Sequence, residues 1–85
     1  MKIKKNIAIS ESGYVFNPSS GESFTVNPIG IELVHMIRDE MSYEEISKTM
    51  LAKYTTDADT FEKDYHDFAG FLKLYQLLEN EGQKN

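Results

Sequence analysis

The sequence contains no cysteine. That absence removes disulfides, thiolate nucleophiles and every cysteine-based zinc pattern together, and it fits a reducing compartment. Tryptophan is missing too, and Gly21 and Gly30 stand too far apart to build a glycine-rich phosphate loop. No apolar run approaches the ~18 residues needed to span a bilayer, and residues 1–10 carry no signal-peptide core. A cytoplasmic protein without a membrane partner is therefore expected. Basic residues are scarce outside one end. Of 9 Lys and Arg, Lys2, Lys4 and Lys5 crowd the N-terminus, so the rest of a chain with net charge −5 is more acidic still. That body repels a phosphate backbone, and the three lysines read as solvated charge on a mobile terminus that guards a strand edge.

Hydrophobic residues at 40% and charged residues at 27% are the proportions of an ordinary globular chain. Eighty-five residues suffice for one domain, expected to span 1–85 with an ordered core over about 2–78 and a polar tail at 79–85. Three period-two segments open it: Ile3, Ile7 and Ile9, then Tyr14 to Phe16, then Phe24 to Val26. They predict strands of an antiparallel meander, with turn residues at Gly13 and from Asn17 to Gly21. A sheet so small needs an apolar cover. The remaining chain supplies it as helices.

Asn27-Pro28 predicts the first helix start, because Asn caps free N–H groups and Pro is tolerated at the first helical position. Ser42 and Glu45 form a capping-box pattern ahead of the second helix. Asp59 with Glu62 predicts a cap for the third, expected over about 61–78. On that helix Phe61, Tyr65, Phe68, Leu72 and Tyr75 share a core face, whereas Asp64, Asp67, Phe71, Leu74 and Leu78 share an adjoining, half-apolar face. The adjoining face has two readings, contact with the sheet or a groove kept open for a ligand.

Catalytic chemistry is hard to assemble from these residues. His35 and His66 lack a nucleophile or metal-ligand partner at recognisable spacing, and the acid pairs Glu44-Glu45 and Asp64 with Asp67 suit helix first turns and solvated faces. No catalytic residue, metal site or cofactor is expected, and the chain does not read as an enzyme. The predicted architecture is α+β, a winged helix-turn-helix in which a three-stranded antiparallel sheet is followed by three helices. Winged helices often bind DNA, but the acids Asp57, Asp59, Glu62, Asp64 and Asp67 outnumber Lys63 and Lys73 on the helix that would approach a duplex. DNA binding is not expected.

From Tyr14 onward the order of motifs resembles the PqqD family, also known as the RiPP recognition element. The matching places are Val26-Asn27, Gly30, Glu44-Glu45-Ile46, Asp64-Tyr65, Phe68-Ala69, Leu72 and Gln76-Leu77-Leu78. Gln76 stands where relatives usually end the helix with Gly, which predicts a longer last helix here, and no Gly marks the turn from Asp39 to Met41. The resemblance implies a non-catalytic adaptor that binds the leader of a ribosomally made precursor peptide and presents it to a modifying enzyme, often a radical SAM protein. It also implies strand addition, with the peptide pairing along the third strand, here Ser23, Phe24, Thr25 and Val26, and the third helix forming the groove wall through Asp64, Asp67, Phe71, Leu74 and Leu78. A winged-helix DNA-binding regulator and a non-catalytic subunit of an enzyme complex are the rival readings.

Overall fold

The computed structural model describes residues 1–79. Strands β1 (Ala8–Ile9), β2 (Tyr14–Asn17) and β3 (Glu22–Thr25) precede helices α1 (Pro28–Arg38), α2 (Tyr43–Lys53) and α3 (Ala58–Leu74). The sheet is antiparallel in the order β1-β2-β3, so β2 is central and β3 forms one edge. Winged-helix architecture, three strands followed by three helices, is thus present as the sequence predicts.

Local chemistry explains where the elements begin. Asn27 accepts from the Gly30 N–H with Pro28 at the first helical position, and Ser42 and Glu45 satisfy each other's backbone donors in a complete capping box. The third cap differs from expectation. Asp57, not Asp59, accepts from the Thr60 N–H at 2.7 Å, and that bond holds the Asp57 carboxyl below its ordinary pKa. The cap therefore lies two residues earlier, and α3 begins at Ala58 rather than near Phe61.

The ends of the chain differ more. Only Ala8 and Ile9 of the expected first strand pair with β2, because a turn at Lys5-Asn6, closed by the Ile7 N–H on the Lys4 carbonyl, separates them from Ile3. Ile3 pairs instead with Leu78 in an isolated antiparallel bridge, flanked by bonds from Lys4 N–H to Leu77 O and from Glu79 N–H to Lys2 O. Lys2 and Lys4 thus sit on a tethered segment rather than a mobile one. Most of the expected polar tail, residues 80–85, lies outside the described residues.

Helix α3 stops at Leu74 because Gln76 takes the left-handed conformation at φ 60, the job a glycine usually does; Glu40 does the same after α1 at φ 61. The helix does not run on to Leu78. A side chain in this region costs about 1 kcal/mol, so Gln76→Gly should raise stability by roughly 0.5–1 kcal/mol. Urea titration checks this, and an unchanged midpoint would show the strain is relieved elsewhere.

The core lies where the inner sheet face meets the helices. Ile7, Val15, Val34, Ile37, Ile46, Met50, Leu72 and Leu77 are each almost wholly buried. Gly13 makes the sheet-to-helix junction possible: at φ 96, with Val26 O only 2.5 Å from where a Cβ would stand, it admits no side chain.

Candidate functional site

The hydrogen-bond parity of β3 follows from one bond and the register. Val26 N–H donates to Gly13 O at 2.8 Å, and the register pairs Tyr14 with Thr25, Val15 with Phe24 and Phe16 with Ser23. Bonded and non-bonded pairs alternate in an antiparallel ladder, so Phe24 and Val26 turn their backbone groups toward β2. Ser23 and Thr25 turn theirs outward. The β1 side agrees, since Ser10 N–H donates to Tyr14 O, which assigns the backbone of Tyr14 and Phe16 to β1.

The two sheet edges are not equivalent. Beyond β1, the Ile7 N–H is taken by Lys4 O and the Ile7 carbonyl by the Arg38 guanidinium, which leaves Ile9 as the one residue of β1 with outward backbone groups unpaired among the described residues. Beyond β3, the N–H and C=O of Ser23 and Thr25 have no protein partner among the described residues. An unpaired row of this kind is a template for another strand.

Side chains behind that edge are provided by α3. The Phe24 ring points inward and packs on Phe71 (centroids 5.6 Å apart, edge-on) and Tyr75 (4.6 Å), while Phe68 and Phe71 stack at 6.0 Å. Each of these rings is half-buried. Gly30 lets α1 close on the same cluster, since even a methyl there would meet Val26 at 3.1 Å and Phe68 at 3.5 Å. Beside the rings Leu74 is 72% exposed, the most open large apolar side chain of the described residues. Asp64 and Asp67 are exposed on the same helix, Asp67 with only a loose contact to Lys63 at 3.5 Å.

The structure therefore brings most of the sequence-derived site together: Ser23, Phe24, Thr25 and Val26 at the edge, with Asp64, Asp67, Phe71 and Leu74 on the helix beside it. Leu78 does not join them. It lies past the helix end, half-buried and bridged to Ile3, and its apolar character serves that contact. Of the two readings of the half-apolar face, contact with the sheet holds for Phe71, whose ring supports β3, while its neighbour Leu74 is exposed. Sequence reasoning missed Ile29, 42% exposed at the start of α1 beyond β3. A lone apolar residue after a proline gives no periodic signal.

No three acidic or histidine side chains converge as a metal site among the described residues, and none of their helices is long and apolar enough to cross a membrane. A short meander whose β3 edge offers two outward residues, backed by a helix carrying aromatic and apolar side chains, defines a strand-accepting winged-helix module. The PqqD family, coenzyme PQQ synthesis protein D, matches residues 13–78, and the chain belongs to that family. It is also similar to the solved structure of TbiB1 in complex with the TbiA(beta) leader peptide, at 26% identity and a TM-score of 0.84, with 100% of each chain covered. No curated protein matches the sequence.

Proposed function

We infer that this chain is a non-catalytic adaptor that captures the leader segment of a precursor peptide as a fourth strand on β3 and presents it to a modifying enzyme. The single observation that carries the reading is the unmatched backbone of Ser23 and Thr25, two outward residues in register along β3, where the two-residue β1 offers Ile9 alone and is closed next to it at Ile7. Membership of the PqqD family and the likeness to a leader-peptide-bound TbiB1 support it. Main-chain bonds at Ser23 and Thr25 supply adhesion that any sequence can share. Side-chain contacts with Phe71, Leu74, Asp64 and Asp67 supply selection. The carboxylates favour a leader with basic residues on the flank that faces α3 and disfavour an acidic one. Nothing in the fold favours DNA, since α3 exposes Asp59, Glu62, Asp64 and Asp67 against Lys63 and Lys73.

Fluorescence anisotropy with the labelled leader of a precursor encoded beside this chain tests the reading, with a labelled DNA duplex as comparator. Saturable leader binding and no duplex binding at physiological salt are expected. Duplex binding that weakens steeply with salt, and no response to the leader, would establish the regulator instead.

A further inference from the structure

We propose that the polar cleft beyond β1, beside the bridge between residues 2–4 and 77–79, docks the modifying enzyme through a segment of that enzyme bearing separated carboxylates. The proposal rests on the reading of this chain as an adaptor. The cleft measures about 650 Å3, within the roughly 300–1,000 Å3 of ligand-sized clefts. Lys2, Lys5 and Arg38 line it together with Glu40 and Glu79. Lys2 and Lys5 are exposed, and none of the three cations forms an ion pair among the described residues. Lys53 and Lys63 do, with Glu32 at 2.9 Å and Asp67 at 3.5 Å. Unpaired cations gathered in one cleft of a chain with net charge −5 are the complement of a carboxylate-bearing surface.

The backbone fixes where these charges stand. Lys4 N–H donates to Leu77 O at 2.9 Å and Glu79 N–H to Lys2 O at 2.8 Å, so the lysine segment is tied down. The Arg38 guanidinium is anchored on the Ile7 carbonyl, which points away from β2. The anchor points are therefore set before a partner arrives, and less ordering is left for binding to cost. Glu40 and Glu79 narrow the class of partner. With two acids among three cations, the cleft suits separated carboxylates that settle beside Lys2, Lys5 and Arg38. The unbroken charge of a nucleic acid or an anionic membrane meets those acids and the acidic body around them. Position suits an adaptor as well. The sheet order β1-β2-β3 places the cleft and the peptide edge on opposite sides, two strand spacings or about 10 Å apart. Peptide and enzyme therefore bind at once without competing.

Amide NMR with a peptide of three glutamates separated by Gly-Ser pairs tests the cleft, the glutamine version serving as control. At low salt the glutamate peptide should shift Lys2, Ile3, Lys5 and Arg38 saturably, leave Ser23 and Thr25 unmoved, and lose its effect as salt rises. The glutamine peptide should shift nothing. Absence of shifts, equal shifts from the glutamine peptide, or tighter binding of a DNA duplex or of phosphatidylserine vesicles at the same residues would overturn the proposal. The second arm uses the modifying enzyme encoded with the precursor. Lys5→Glu should weaken its association about tenfold while leader binding stays within about twofold of the parent. Lys48→Glu, the same charge change at an exposed position of α2, should alter neither. Lys2→Glu repeats the test if Lys5→Glu is misfolded. A wild type that binds leader but not the enzyme, or enzyme association as strong in Lys5→Glu and Lys2→Glu as in Lys48→Glu, overturns the docking face and leaves the adaptor reading intact. A wild type that binds no leader removes the adaptor reading, and the proposal with it.

Discussion

Thr25→Pro leaves the domain folded and weakens leader binding at least tenfold, about 1.4 kcal/mol, whereas Phe24→Pro damages the sheet itself. The difference follows from parity. The Thr25 N–H points away from β2, so proline there deletes a donor offered to the ligand and no bond inside the protein. One neutral hydrogen bond contributes only about 1 kcal/mol, but the ring also blocks the approach of the incoming strand. Phe24 pairs with Val15 in the bonded register and sends its ring between Phe71 and Tyr75. Proline at that position loses a ladder bond and an aromatic anchor together. Circular dichroism should show Thr25→Pro folded, and Thr25→Ala should bind within a few-fold of the parent because it keeps the N–H. Equal binding by Thr25→Pro and Thr25→Ala would remove strand addition from the account.

Phe61→Ala unfolds the domain or leaves it barely stable. The side chain is 5% exposed and packs beside Tyr43 at 6.1 Å and Tyr65 at 6.0 Å. Truncation of a buried Phe costs about 3–5 kcal/mol, against a total of roughly 5 kcal/mol for a small domain. Leu74→Ala should change stability by no more than about 0.5 kcal/mol, since the side chain is 72% exposed. Phe71→Ala falls between, because its ring is half-buried yet touches Phe24, Phe68 and Tyr75. Thermal melts should rank the three in that order. A Leu74→Ala variant as unstable as Phe61→Ala would mean that α3 has no free face.

Much of this was legible in the sequence, and the reasons are local. Asn27-Pro28 and the pair Ser42 and Glu45 carry their chemistry within four residues, so the starts of α1 and α2 could be read directly. The alternation of Tyr14, Val15 and Phe16 likewise marks a strand with one buried face. What escaped depends on distant contacts. Leu77 and Leu78 continue the apolar spacing of α3, yet they are apolar because Leu77 is buried and Leu78 meets Ile3 from the other end of the chain. Periodicity cannot separate those causes, so the helix was expected to run through them. Gln76 carries no turn signature of its own, so its place where relatives end the helix with Gly reads as a loss of the stop, whereas the residue takes the glycine's positive φ all the same. The parity of β3 depends on a bond between Gly13 and Val26, which a period-two pattern leaves undetermined.

Amide hydrogen exchange at Ser23 and Thr25, followed by NMR with and without a bound leader peptide, tests strand addition most directly. In the free protein Phe24 and Val26 should exchange slowly, held by β2, while Ser23 and Thr25 exchange fast. Saturating peptide should slow Ser23 and Thr25 severalfold and leave the residues of β1 unchanged. Unaltered exchange at Ser23 and Thr25 under saturation would contradict the account and place the peptide elsewhere on the molecule.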